Sequence, residues 1–133
     1  MKYRKGYKYQ LAENETFILP IEIFGDIKTE FAELSKAGVF VIRAGYAWDG
    51  PSGPTIDTKN SMRGSLVHDA LYQLMRQGHL GDNCREIADD FLYDVLVADG
   101  MNKLRAWFWW RGVRRAAGFA ADPKNIKKVY VAP

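Results

Sequence analysis

The stretch GYAWDGPSGPTID, residues 45–57, divides this chain into two parts of different character. Before it, apolar residues alternate with polar ones, and after it they recur at three- and four-residue spacing. The first pattern is typical of half-buried strands and the second of amphipathic helices. We therefore predict an α+β fold in which a small N-terminal antiparallel β-sheet is followed by an antiparallel helical hairpin and a third helix.

The length limits the number of domains. With 133 residues the chain can bury one core but is too short for two comfortable domains, so we expect a single domain over 1–133. Its expected parts are a β-rich segment at 1–45, the Gly/Pro/Asp loop at 46–60, a helical segment at 61–117 and a tail at 118–133.

The β-rich segment is expected to hold three strands. Apolar alternation over 3–11 and again over 17–23, with a polar turn at 12–15, predicts a hairpin. The β-branched and aromatic run at 39–43 follows a Lys-Ala-Gly turn and predicts the third strand.

Three helices are expected after the loop, at about 61–77, 84–98 and 102–117. Asn60 or Ser61 can cap the first of them. Glycines follow the first two helices as stop signals, at residues 78 and 100.

Composition narrows the classes of function. The 19 Lys and Arg against 16 Asp and Glu give a formal charge of only +3 without a long basic run, so nucleic-acid binding is not expected. The single cysteine, Cys84, rules out an intrachain disulfide and a multi-cysteine zinc site. No apolar run approaches the roughly 20 residues that span a bilayer, and the start, MKYRKGYKY, leads into no signal-like apolar core.

The first predicted helix carries an adjacent His68 and Asp69. Neighbours on a helix point about 100° apart, so the imidazole can act as a base on one side while the carboxylate binds a metal on the other. Tyr72 lies one turn after His68, where its hydroxyl could bond a carboxylate that orients the imidazole. Asp89 or Asp90 on the second helix could be that carboxylate. A histidine beside an apolar face is also often a hydrogen-bonded core residue, and both interpretations remain open.

The Gly/Pro loop also has two interpretations. Its glycines and prolines could simply turn a strand into a helix, since Gly allows positive φ and Pro fixes φ. A metal-binding loop uses the same freedom to turn main-chain carbonyls inward, and Asp49 and Asp69 flank the loop with the oxygen ligands that calcium prefers. The sequence therefore predicts a calcium site formed by Asp49, Gly50, Gly53 and Asp69.

The third predicted helix is rich in tryptophan and basic residues. Aromatic rings and basic side chains suit a lipid interface, which predicts a membrane-facing set of Trp107, Trp109, Trp110 and Arg111. The same residues could instead form a core or a subunit contact, and an oligomer is compatible with the sequence.

The three motifs, in this order, resemble the phospholipase A₂ superfamily, above all its short, disulfide-free form in parvovirus capsid proteins. The resemblance covers about residues 45–92 and rests on Gly50-Pro51-Ser52-Gly53-Pro54, His68-Asp69-Ala70-Leu71-Tyr72 and Ala88-Asp89. It implies calcium-assisted hydrolysis of a phospholipid ester, with His68 as the base and Asp89 fixing its tautomer. Asp69 and loop carbonyls would hold the calcium ion. The spacing from loop to histidine is longer than in the secreted enzymes, and Asp49 stands in a loop that usually binds through carbonyls.

Over most of its length the chain also resembles an uncharacterised family of small proteins common in tailed phages and prophages, through its DG-x-S-x-P and HD-x-LY motifs. This resemblance implies the host cytoplasm or the phage virion as the location. It implies phage particle proteins as expected partners, in addition to the phospholipid membrane. The competing function is a non-catalytic structural or accessory protein with a buried His-Asp-Tyr network. A zinc hydrolase acting on the cell wall would need a further His or Glu ligand.

Overall fold

The computed structural model describes residues 1, 3–4, 9–48 and 59–121, and for 3–4 and 117–121 it describes the backbone. These residues fall into two compact units, a strand unit before the loop and a helix unit after it. The predicted α+β class is confirmed. No helix among the described residues is long and apolar enough to cross a membrane.

The strand unit contains more and shorter strands than the three expected, and they form two sheets. All pairings are antiparallel, with the order β1-β2-β7 in one sheet and β3-β6-β5-β4 in the other. The strands are β1 (Tyr3–Arg4), β2 (Tyr9–Leu11), β3 (Glu15–Ile18), β4 (Ile27–Lys28), β5 (Ala32–Leu34), β6 (Val39–Ile42) and β7 (Ala47–Trp48).

The predicted hairpin between 3–11 and 17–23 is wrong. β2 pairs with β7, and β3 pairs with β6, so 9–18 and 39–48 run beside each other as one interrupted antiparallel arm. At the interruption, the Leu11 N–H donates to the Tyr46 carbonyl over 2.8 Å. A tight hairpin turn usually needs a residue with positive φ, and the segment between β2 and β3 has no glycine.

The turn before β6 depends on glycine, as expected from the sequence. Gly38 has φ of 94°, and a Cβ there would collide with the Leu19 carbonyl oxygen and lie 2.9 Å from that of Ile21. No other residue type fits without strain. After this turn Phe40 and Ile42 point into the strand-unit core, where both are fully buried.

The helix unit consists of α1 (Met62–Arg76), α2 (Arg85–Ala98) and α3 (Lys103–Ala121). α1 and α2 form the predicted antiparallel hairpin, and α3 packs mainly against α2. The first two helices match their expected limits to within one residue at each end. The third continues to Ala121, beyond the expected end at residue 117.

Glycine ends α1 and α2 as predicted. Gly78 and Gly100 have φ of 81° and 98°. Directly after them, the His79 N–H donates to the Leu74 carbonyl and the Met101 N–H to the Leu96 carbonyl, each over 2.9 Å. These bonds satisfy carbonyl groups that the last helical turn leaves free.

The helix starts are less regular. Ser61 is buried, has a helical backbone and makes no side-chain capping bond at α1, so the Ser61 alternative for this cap is wrong. At α3, the side-chain oxygen of Asn102 accepts the Leu104 N–H over 2.8 Å, which is the usual role of asparagine at this position.

α1 and α2 approach each other closely at Gly64. A Cβ at this position would lie 2.9 Å from Cδ2 of Leu96 and 3.0 Å from Cδ1 of Leu92, both of which are core side chains. The close approach brings the next turn of α1, with His68, beside Asp89 of α2.

Candidate functional site

Three helices meet at the carboxylate of Asp89, whose side chain is 0% exposed. Its Oδ1 atom lies 2.7 Å from Nε2 of His68 and 2.7 Å from the Tyr72 hydroxyl, both on α1. Its Oδ2 atom accepts a hydrogen bond of 2.8 Å from Nη1 of Arg114 on α3. The predicted choice between Asp89 and Asp90 as the partner of His68 is thus resolved in favour of Asp89.

The i and i+4 positions of His68 and Tyr72 explain why both side chains reach the same oxygen. Residues four apart lie over one another on a helix face. The two rings are in contact, with centroids 4.3 Å apart and planes inclined by 30°. Tyr72 is buried, while the His68 side chain keeps 12% of its surface exposed.

The bond to Asp89 defines the imidazole orientation. An ionised carboxylate can only accept, so the neutral His68 ring carries its proton on Nε2 and has its lone pair on Nδ1. Nδ1 lies on the other side of the ring, 4.0 Å from Oδ1 of Asp69. The Asp69 side chain is 32% exposed, so the basic nitrogen lies toward a solvent-accessible carboxylate.

The surroundings shift three ionisation equilibria. Burial of the imidazole lowers the pKa of His68, but the hydrogen bond to Asp89 and the negative charges of Asp69 and Asp89 outweigh burial and raise that pKa above the ordinary 6.5. Burial, followed by the bond to Asp89, raises the pKa of Tyr72 far above its usual range, so the hydroxyl remains a donor. The same carboxylate raises the pKa of Arg114, which remains a cation.

Only part of the predicted calcium site can be located. Asp49, Gly50 and Gly53 lie outside the described residues, whereas Asp69 presents a partly exposed carboxylate beside His68. Carboxylate oxygens are ligands that calcium prefers, so this donor fits the ion. In the described ranges no group of three His, Cys, Asp or Glu side chains could hold a metal. Calcium at Asp69 would therefore need main-chain carbonyls or donors from the loop.

Arg114 is the site residue that the sequence interpretation missed. Its guanidinium reaches Asp89 from 25 positions away, and sequence spacing does not identify such a tertiary pair. One signal was present. Trp110 and Arg114 lie one turn apart on α3 and bond the adjacent acids of α2, since the Trp110 indole N–H donates to Asp90 over 2.7 Å.

The predicted membrane-facing set divides between two sides of α3. Trp107 is 40% exposed, and Arg111 is exposed with its guanidinium 5.5 Å from the Trp107 ring centre. Trp109 does not face outward as predicted, because it is only 8% exposed and packs in the core of the helix unit. Trp110 is half-buried and bonded to Asp90. At 100° per residue, consecutive tryptophans cannot share one face of a helix.

Comparison with known proteins assigns the chain to a family and gives it no activity. Neither the curated proteins nor the solved structures include a match to it. One family model matches residues 26–113, which include His68, Tyr72 and Asp89. The expectation of an uncharacterised family is confirmed, while the phage origin and the phospholipase resemblance stay predictions. Since the match covers more than half of its length, the chain belongs to the family described as protein of unknown function DUF1353.

Proposed function

We propose that this protein is a phospholipase A₂-like, calcium-assisted hydrolase of phospholipid esters, with His68 as its general base. The bond from Nε2 of His68 to the buried Asp89 carries the proposal. It leaves Nδ1 as the accepting nitrogen, on the side of the ring where Asp69 lies 4.0 Å away. A general base needs a fixed tautomer with an unprotonated nitrogen, and this bond supplies it.

In the proposed reaction the neutral imidazole takes a proton from water at Nδ1 as the water oxygen attacks the ester carbonyl. Asp89 accepts a hydrogen bond from the Nε2–H group and stabilises the imidazolium, as the acid of a catalytic triad does. When the tetrahedral intermediate collapses, the imidazolium returns the proton to the leaving alcohol oxygen. The products are a fatty acid and a lysophospholipid.

Tyr72 and Arg114 support this step through Asp89. The hydroxyl of Tyr72 bonds the oxygen that faces His68, and the guanidinium of Arg114 bonds the other oxygen. With both oxygens held, the carboxylate cannot rotate away from the imidazole without breaking charge-assisted bonds. Neither side chain needs to contact the substrate for this function.

Calcium, when bound, would supply positive charge against the developing oxyanion and the substrate phosphate. Asp69 is the described residue that would hold the ion, and its partly exposed carboxylate suits this role. Asp49 and the carbonyls of Gly50 and Gly53 are the further donors expected from the sequence.

A non-catalytic role as a phage structural or accessory protein is the second candidate. The three hydrogen bonds to Asp89 favour this role. Through them His68, Tyr72 and Arg114 connect α1, α2 and α3 at one buried carboxylate. Fully satisfied polar networks of this kind also serve to specify a unique core. In that case His68 would stabilise the fold without turning over a substrate.

Product analysis distinguishes the two candidates. Vesicles of mixed anionic and zwitterionic phospholipid should release fatty acid and lysophospholipid in equal amounts with purified protein and millimolar calcium, but not with a chelator. Asp89→Asn should lose less activity than a variant without the base, because it removes orientation but keeps the imidazole. A positioned acid-base group contributes roughly 10²–10⁴-fold. Wild-type protein without calcium-dependent release would favour the structural candidate.

A further inference from the structure

Exposed apolar side chains cluster on one side of α3. Among the described residues, Leu104, Trp107 and Phe108 are 65%, 40% and 59% exposed and stand at i, i+3 and i+4. Single exposed hydrophobic residues are normal, whereas a contiguous group of them indicates an interaction site. Two exposed arginines, Arg111 and Arg115, continue the same face toward the end of the helix. We call these five residues the α3 patch.

The aromatic rings of the α3 patch contact each other and a neighbouring arginine. Trp107 and Phe108 meet edge to face with centroids 5.2 Å apart, and the Arg111 guanidinium lies 5.5 Å from the Trp107 ring centre. The opposite side of α3 is buried, because Ala106 and Trp109 pack in the core with α2. The α3 patch is therefore the side of this helix that faces away from its helical neighbours.

The charge of α3 indicates what kind of partner would cover this patch. The helix contains Lys103, Arg105, Arg111, Arg114 and Arg115, and its sequence has no Asp or Glu. Arg114 is neutralised by Asp89, but the exposed Lys103, Arg111 and Arg115 lie at or beside the patch. A complementary partner is anionic and has an apolar layer within reach of the rings.

We infer that the α3 patch docks on the surface of an anionic phospholipid bilayer. Leu104, Trp107 and Phe108 would enter the boundary between head groups and acyl chains, while Arg111 and Arg115 remain at the phosphates. Single-stranded nucleic acid could stack on the rings but would leave the aliphatic Leu104 without an apolar contact. The inference rests on the proposed function, because docking would bring the protein to its phospholipid substrate. Docking itself does not require turnover.

Vesicle cosedimentation in the presence of a chelator tests docking without calcium or catalysis. Wild-type protein should sediment with vesicles of phosphatidylglycerol and phosphatidylcholine but not with phosphatidylcholine alone. Replacing Trp107 and Phe108 by serine together should lower the partition coefficient at least about tenfold, because it removes most of the apolar anchor. Arg111→Gln should lower it about fivefold at low salt and less at high salt.

Phe24→Ser is the matched control, because Phe24 is a fully exposed aromatic residue of the strand unit. It should bind vesicles as the wild type does. Circular dichroism and thermal melting should be unchanged in all variants, since the replaced side chains are partly or fully exposed. Brominated acyl chains should quench wild-type tryptophan fluorescence, and Trp107→Phe should lose most of that quenching.

The inference would be overturned if wild-type protein did not bind anionic vesicles. It would also be overturned if the variant with serine at both Trp107 and Phe108 bound them as well as the wild type. Self-association or oligonucleotide binding that the double variant abolishes, without vesicle binding, would also overturn it in favour of another partner. His68→Gln should still bind vesicles. Binding without any fatty-acid release would leave docking standing and reject the proposed hydrolase.

Discussion

Nε2 of His68 and Oδ1 of Asp89 lie 2.7 Å apart, although the two residues are 21 positions apart on different helices. The carboxylate is fully buried, and Tyr72 and Arg114 bond it as well. A buried charge that loses a partner is costly, because water cannot replace the lost bond. We therefore expect changes in this network to lower the free energy of unfolding, whether or not the protein is an enzyme.

Asp89→Asn should lower the free energy of unfolding by about 1–3 kcal/mol, because it removes the charge that three donors share. Urea denaturation of the purified variants measures the change. Asp90→Asn is the matched control, since Asp90 is the exposed neighbour with a bond to Trp110. Equal losses for the two variants would contradict the central position of Asp89.

Arg114→Met should also destabilise the protein, by about 1–2 kcal/mol, because it leaves Oδ2 of Asp89 buried without its cation. We expect the lower end of that range, since the Arg114 side chain is 33% exposed and solvent screens the pair. Arg111→Met provides the control at an exposed arginine of the same helix. Combining Arg114→Met with Asp89→Asn should cost less than the sum of the two single changes, and strict additivity would argue against the pairing.

Stability should depend on pH through His68. Its pKa is raised in the folded protein, so protonation stabilises the fold fully below the ordinary 6.5, and this contribution disappears as pH rises through the raised value. Asp69 and Asp89 face the imidazole, and Arg114 faces it only through Asp89. The difference in unfolding free energy between wild type and His68→Gln should therefore be largest below pH 6.5 and shrink as pH rises through the raised pKa of His68. The exposed His79 provides the control, and a difference that stays constant as pH rises would contradict the pKa shift.

The helices were predictable because their signals are local. Apolar spacing and the glycines at 78 and 100 gave the limits of α1 and α2, and the four-residue spacing of His68 and Tyr72 indicated a shared partner. Strand pairing was not predictable in the same way. Alternation shows which side of a strand is buried, but it does not identify the neighbouring strand.

The same limit explains the errors at the site. Arg114 joins Asp89 through packing of α3 on α2, which no local pattern encodes. Composition alone groups Trp109 with its neighbours, although its angular position on α3 directs it into the core. Trp107 lies on the outer side of the same helix, so the phase of the helix and not its content decides which ring is exposed.

Calcium binding should depend on Asp69. Titration calorimetry in the millimolar calcium range should give a binding signal for wild-type protein and none for Asp69→Asn, because the ion loses its ligand on α1. Asp94→Asn is the control: it removes an exposed carboxylate of α2, and this variant should bind calcium as the wild type does. No heat from the wild type, or identical heats from all three proteins, would reject a calcium site at Asp69.

The most direct measurement is the rate of calcium-dependent fatty-acid release from phospholipid vesicles by wild type, His68→Gln and His79→Gln. We predict that His68→Gln abolishes release, because the basic nitrogen is lost, while the variant still folds and binds vesicles, because Tyr72 and Arg114 still bond Asp89. His79→Gln should match the wild type. Undiminished release by His68→Gln would contradict its role as the general base, and no release by the wild type would contradict the proposed hydrolase.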